Sequence, residues 1–443
     1  MSSLTDTDRH PLLTDTGRAL LQSLTEHACA PLFNAQCGDR LNAGGLREVA
    51  AYASLADAQP PSWSTGRDPA WVGQWLQRTL PRVRAWRDWP TEVPLQRLPT
   101  MDRSDLSRDI GEYVPDDLPL DRLVVHNTFG TTGDRLVVPW SPEACAMYLP
   151  LMRRALALVG VPLEPMPERV GVLMACWQQT TVVVASVASY LGESGFLKIN
   201  LHPSSWRAEG DAQAYLEWSK PYLVTGDPLS FAALLKLAPA IRPAALLSTS
   251  MQLSPALAAE LKAQFDCPVV DLYSCNETGP IAARDANAPA DTPWTLLQPQ
   301  MMVEIVDPQG RRLGPGERGE ICLTGGFNPY LPLLRYRTGD HAALQWRGTQ
   351  PSLTDLHGRA PVLFEHADGR PVNNIDISVA LKPFPLARFR LTQHADLSLL
   401  LETDTQVGEQ ALRLAIGQVL GALPLRIGVL AGDSKVIQYR RET

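Results

Sequence analysis

Residues 244–279 read "AALLSTSMQLSPALAAELKAQFDCPVVDLYSCNETG", which contains a complete strand–helix–strand unit. The apolar run "AALLS" reads as a strand. Ser254 is a good N-cap for "SPALAAELKAQF", whose apolar residues recur at helical spacing, and "PVVDLYS" is a second strand rich in apolar residues. The second strand ends in "DLYSCNETGP" (271–280), with Tyr273 and Glu277 at its C-terminal edge. In an open α/β sheet that edge is where ligands bind. Taken alone, Glu277 reads as a solvated loop residue rather than a metal ligand.

The alternation extends upstream. "PEACAMYLPLMRRALALVG" starts a helix after Ser141 and ends at Gly160; "RVGVLMAC" (169–176) is a buried strand, followed by "TTVVVASVASYLG" and then "FLKINL" (196–201). "AQAYLEWSKP" and "PLSFAALLKLAP" are helices. Strands alternating with helices imply stacked parallel sheets covered by helices, hence an α/β fold. Residues 1–100 read as a helical layer, with Trp71, Trp75, Trp86 and Trp89 as packing residues beneath it. From about 300 the strands shorten and turn glycines multiply in "MMVEIVDPQGRRLGPGERGEICLTGG", the pattern of an antiparallel β subdomain. The expected organisation is a large N-terminal domain over 1–357, comprising the helical layer, α/β sheets over 101–299 and the β subdomain over 300–357. A small α+β domain over 358–443 follows, with a helix in "EQALRLAIGQVLGAL".

Bulk properties narrow the function classes. The 443 residues carry 40 basic and 47 acidic side chains, a net charge of −7, which gives no electrostatic footprint for nucleic acid. The 7 cysteines form no C-x-x-C pair and leave an odd one, which fits reduced thiols in a cytoplasm. No apolar run reaches membrane-spanning length, so the expectation is a soluble cytoplasmic protein.

"TFGTTGD" (128–134) lies between two β-rich segments, so it reads as strand–loop–strand. Gly130 and Gly133 permit a concave nest of N–H groups, and Thr128, Thr131 and Thr132 add hydroxyls, which together could cradle a polyphosphate. An ordinary hairpin turn explains the same residues. It is not a Walker A loop, because no lysine follows. Three further positions are ambiguous by themselves. Asp340, in "LLRYRTGDHAAL", doubles as a turn residue; Arg359, in "HGRAP", as a surface ion-pair partner; and Lys435, in "GDSKVIQYRRE", as a solvated tail lysine.

In this order and at these separations the segments resemble the adenylate-forming enzymes, and specifically the phenylacetate–CoA ligase-like branch. The resemblance begins at "LPTMDRSDLSRDIGEYVPDDLPLDRLVVHNTFGTTGD" (98–134) and runs through 248–279, "EIVDPQGRRLGPGERGEICLTGG", "RYRTGD" and "GR" to Lys435. It implies that residues 128–133 wrap the β- and γ-phosphates of ATP. Tyr273 would stack on adenine, with Ser248, Thr249, Ser250 and Asn276 lining the nucleotide. Glu277 would hold Mg²⁺, Asp340 would accept from the ribose hydroxyls with Arg359 nearby, and Lys435 would swing in on a mobile C-terminal lid. The chemistry suits these residue types, because a carboxylate must attack the α-phosphate while pyrophosphate leaves. Positioning and charge neutralisation then carry the rate.

The branch points to an aromatic, hydroxybenzoate-like acid. Trp177, Gln178 and Cys275 are candidate acyl-pocket residues, and His126 is a candidate for orienting the carboxylate; Trp177 as core packing and His126 as a simple hydrogen-bonded residue are equally good readings. The acceptor would be CoA or the phosphopantetheine of a carrier protein acting in trans, because no carrier module lies within the 443 residues. Transfer of the acyl group to an amine, and a catalytically impaired nucleotide-binding protein, are the alternatives. Dimerisation is common in the branch. Three positions depart from its pattern: Asp134 replaces the loop lysine, Ala360 and Pro361 replace the hinge acid after "GR", and Ser274 stands where glycine is usual.

Overall fold

A computed structural model describes residues 4–129, 135–357, 362–381, 384, 389–403, 408–430 and 439–442, with the backbone alone at a few of these positions. The segment 244–279 folds as its pattern implies. The strand Ala245–Ser248 leads to a helix Pro255–Phe265, whose first turn is capped by Ser254 accepting from the Leu257 N–H; the strand Val269–Cys275 then pairs parallel to the first. Pro255 sits at the first helical position, where no N–H is needed, and Asp266 closes the helix with φ of 51°.

These strands belong to one mixed sheet of twelve. Its parallel part runs Ser194–Asn200, Val170–Cys176, Leu223–Gly226, Ala245–Ser248 and Val269–Cys275. Leu223–Gly226 and Ala245–Ser248 are buried at every position, as parallel strands covered on both faces must be. Beyond Val269–Cys275 the pairing turns antiparallel, through Gly279–Asp285, Trp294–Leu296, Gln350–His357, Leu333–Arg347, Arg318–Gly325 and Met301–Val306. The α/β architecture is as expected, but the parallel and β-subdomain strands join into a single sheet and do not form separate stacks. "TTVVVASVASYLG" supplies the edge strand Val184–Ala188, antiparallel to Ser194–Asn200, because its β-branched run continues to a short turn at Gly192. Among the tryptophans of the helical layer, Trp75 and Trp86 are buried, while Trp71 and Trp89 are half-buried.

The chain divides into two compact units. The first takes residues 1–126, 138–176 and 182–359; the second takes 127–137, 177–181 and 360–443. The core of the first unit lies between the parallel strands and the helix Tyr148–Ala157, with Leu151, Leu156, Leu223, Leu247 and Val270 at its centre. The second unit has its own four-stranded sheet, in the order Leu425–Val429, Leu399–Thr403, Phe389–Gln393 and Tyr439–Arg441, with the helix Glu409–Leu420 packed on it. Phe364, Leu391, Leu401 and Ile416 fill that core. Among the described residues no helix is long and apolar enough to cross a membrane, and all 7 cysteines are free.

Candidate active site

The strand Val269–Cys275 carries Tyr273 into a buried position and ends where the loop 276–278 begins. The Tyr273 hydroxyl donates to Asp340 Oδ2 at 3.1 Å and lies 3.5 Å from Thr338 Oγ1. The Asp340 N–H donates in turn to Thr338 Oγ1 at 3.1 Å, across a tight turn at Gly339 (φ 79°). Burial and the Asp340 charge hold the Tyr273 phenol well above its usual pKa, so it remains a donor. Thr249 Oγ1 meets Ser274 Oγ at 2.8 Å, and the Thr249 N–H reaches back to the Gly226 carbonyl at 3.0 Å. Ser250 takes a left-handed conformation (φ 74°) to turn away from the strand. Ser248 is fully buried and its hydroxyl meets no partner, an orphaned donor at the same strand end. Asn276 is exposed on the loop.

Four residues further along the chain from Tyr273, Glu277 is 4% exposed and its Oε1 accepts two hydrogen bonds. One comes from the Tyr336 hydroxyl at 2.8 Å and one from Arg103 Nη1 at 2.8 Å. Arg103 is delivered by non-local pairing. Met101 donates to the Arg335 carbonyl at 3.1 Å and accepts from the Arg337 N–H at 2.7 Å, so 98–103 lies along the strand Leu333–Arg347. Asp102 then caps the helix Arg103–Arg108, accepting from Ser104 and Asp105. Neither Arg103 nor Tyr336 stands out in the sequence as a site residue; the only hint was the position of Arg103 in the segment leading to the glycine–threonine loop.

Two residues past Glu277, Gly279 (φ 70°) lies against an aromatic group. Trp140 packs against Phe327 with ring centroids 5.5 Å apart and against Tyr148 at 5.6 Å, and Tyr148 meets Phe327 edge-on at 5.9 Å. His126 faces Trp140 at 6.1 Å, and burial together with the Lys198 charge lowers its pKa, so the imidazole is neutral at pH 7. Cys275 Sγ contacts Thr278 Oγ1 at 3.0 Å, and burial pushes the thiol far up from its usual range.

Of the expected site residues, Ser248, Thr249 and Tyr273 therefore gather at the ends of two neighbouring parallel strands, with Glu277 on the adjoining loop and Asp340 reaching Tyr273 from the middle of the strand Leu333–Arg347. Trp177 and Gln178 belong to the second unit, where the Trp177 carbonyl accepts from Asn373 Nδ2 at 2.8 Å. Thr128 is described by its backbone alone, in the strand Val124–Phe129. Gly130, Thr131, Thr132, Gly133, Arg359 and Lys435 lie outside the described residues.

The sequence has no match among curated proteins. Residues 146–328 match the AMP-binding enzyme family, a span that includes the parallel strands and the loops bearing Tyr273 and Glu277. Over most of its length the chain's fold is similar to that of 2-hydroxyisobutyryl-CoA ligase, solved with 2-HIB-AMP and CoA in the thioesterification state. The identity is 18%, covering 90% of this chain and 89% of that one, with a TM-score of 0.52. The anthranilate CoA ligase AuaEII, solved with anthranoyl-AMP, is similar over 73% of this chain and 66% of that one, at 16% identity and a TM-score of 0.39.

The groups around Tyr273 suit a nucleotide better than Glu277 suits a magnesium ion. An orphaned buried hydroxyl at Ser248 and a carboxylate at Asp340 are suitable groups for a polar ligand. Glu277 is different, because its carboxylate is already neutralised by a guanidinium. Magnesium at a nucleotide takes one or two carboxylates together with phosphates and waters, so an engaged Glu277 removes a principal protein ligand.

Proposed function

We propose that this protein is an ATP-dependent acid–thiol ligase. A carboxylate oxygen attacks the α-phosphorus of ATP, the bond to the β-phosphate oxygen breaks and pyrophosphate leaves, giving acyl-AMP. A thiolate then attacks the acyl carbon and AMP departs, leaving a thioester on CoA or on a carrier-protein phosphopantetheine. The observation that carries this reading is the contact of Tyr273 with Asp340 inside and just beyond the span that matches the AMP-binding enzyme family. It joins two segments of the expected nucleotide site that are 67 residues apart in the chain.

Within this reading the loop 128–133 holds the outer phosphates, Tyr273 and Ser248–Ser250 flank the adenine, Asp340 and Arg359 hold the ribose, and Lys435 neutralises charge during adenylation. A preference for aromatic acids is supported by the Trp140, Tyr148 and Phe327 group beside Gly279, next to Cys275. The test is acid-dependent exchange of labelled pyrophosphate into ATP over a panel of aryl and aliphatic acids, followed by product analysis with CoA, a holo carrier protein and amines. Exchange with no acid in the panel, under conditions where ATP binds, would leave a nucleotide-binding protein instead.

A further inference from the structure

We infer that Arg103 is the cation that Glu277 is built to hold, so that this chain presents a guanidinium where a divalent ion would otherwise sit on that carboxylate. Glu277 is almost fully buried, and an ionised carboxylate there requires a hydrogen-bonded counter-charge. Arg103 Nη1 supplies it at 2.8 Å, with the Arg103 side chain itself only 13% exposed. Tyr336 donates to the same oxygen at 2.8 Å from a position that is 2% exposed, so the carboxylate is pinned from two sides.

The backbone that carries Arg103 is anchored on both sides. Arg103 is the first residue of a helix whose capping box is formed by Asp102 and Asp105, and the backbone two residues earlier is hydrogen-bonded on both sides to Arg335 and Arg337. A divalent ion on Glu277 would lie within a few ångströms of the Arg103 guanidinium that pairs with it, and like charges at that range in a partly dry site repel strongly. Arginine also suits the alternative task, because its charge is permanent and adds to the positive potential that a phosphate would meet. Arg103 is therefore a positioning residue for Glu277 and a built-in positive charge at the nucleotide site. The second half of that statement rests on the proposed function, while the first does not.

The experiment has one arm for each half and uses the full chain. In the first, Mn²⁺ alone is titrated into the wild type and Glu277→Gln, with free Mn²⁺ followed by electron paramagnetic resonance. Coincident curves are expected; a wild-type site that vanishes in Glu277→Gln overturns the inference. In the second, ATP binding is measured by calorimetry with excess Mg²⁺ and again with EDTA. Wild-type affinity is expected to change by less than about tenfold between the two, whereas Arg103→Met weakens about tenfold or more in EDTA and Arg103→Lys recovers most of it. A wild type that loses ATP binding in EDTA, with Arg103→Met matching it under both conditions, overturns the role at the nucleotide. Absence of ATP binding under every condition overturns the proposed function instead, and the Mn²⁺ arm still decides whether Arg103 is the cation at Glu277. Comparison of the wild type in the two buffers requires no variant to fold.

Discussion

The phenol of Tyr273 and the carboxylate of Asp340 form a hydrogen bond of 3.1 Å that links the last parallel strand of the sheet to the long antiparallel strand Leu333–Arg347. The two strands are not neighbours in the sheet, so side chains alone make this connection. A carboxylate that accepts from a buried phenol has lone pairs left for a second set of donors, which is what a pair of vicinal ribose hydroxyls would supply.

Two substitutions separate those roles. Tyr273→Phe removes one buried hydrogen bond and is expected to cost about 1 kcal/mol of stability, with AMP affinity nearly unchanged. Asp340→Ala removes the acceptor itself and is expected to weaken AMP binding about tenfold or more, since bonds to a charged group contribute ~1.5–3 kcal/mol. Urea unfolding and calorimetry measure the two quantities. Equal losses of AMP affinity in both variants would mean that Asp340 acts only by holding the tyrosine.

Gly279 should tolerate no side chain. Its φ of 70° disfavours L-residues, and a Cβ there would lie 2.8 Å from Phe327 Cζ and 3.1 Å from Tyr148 Cζ. Gly279→Ala is expected to destabilise by about 2 kcal/mol, combining backbone strain with overpacking. Adding Phe327→Leu should return part of that loss by freeing the space. If the double variant is as unstable as the sum of the two singles, the clash with Phe327 is not the cause.

The βαβ unit at 244–279 was legible because its signals are local: the Ser254 cap, the helical spacing that follows it, and two apolar runs of strand length. Tyr273 and Asp340 could be singled out for the same reason, each being next to a strand end or a Thr-Gly turn. Arg103 was not legible. Its side chain reaches Glu277 across 174 residues of sequence only because Met101 pairs with the strand at 335–337, and nothing local distinguishes it from Arg108 in the same short helix. The aromatic group was hidden likewise, since Trp140, Tyr148 and Phe327 come together through tertiary packing and not through spacing. Trp177 and Gln178 follow a buried strand directly, which suggested a pocket wall; the backbone at 177–179 is hydrogen-bonded to Asn373 and Asp376 of the second unit, a link that local sequence does not announce.

Asp271, two residues before Tyr273 on the same strand, gives the protein a pH dependence with a definite sign. Burial pushes its carboxyl from an ordinary 3.8 up to about 7, and Arg284, with Nη2 3.6 Å away, pulls back only in part. Below about pH 4 the folded and unfolded states are both protonated and the residue is silent. As pH rises toward 7 the unfolded chain releases a proton that the folded chain keeps, so this residue lowers stability progressively across that window and by a constant amount above it. Asp271→Asn is therefore expected to stabilise by about 1–3 kcal/mol at pH 8, after allowing for the lost Arg284 contact, and by nearly nothing at pH 4. Urea unfolding at the two pH values checks it; an equal difference at both would show that Asp271 does not titrate in this range.

Lys435 offers the sharpest separation of chemistry from folding. In the proposed reaction its charge matters only while two anions, the attacking carboxylate and the phosphate, are forced together, so its contribution belongs to the transition state and not to bound substrate. Lys435→Ala is accordingly expected to lower acid-dependent pyrophosphate exchange by about 10²–10³ while leaving the unfolding midpoint and AMP affinity at wild-type values. Thioester formation from synthetic acyl-AMP should survive, because no triphosphate is present in that half-reaction. Lys435→Arg retains the charge on a different shape and should fall between the two. A wild-type exchange rate in Lys435→Ala would exclude this lysine from the adenylation step, and a parallel loss of stability would mean that its role is structural.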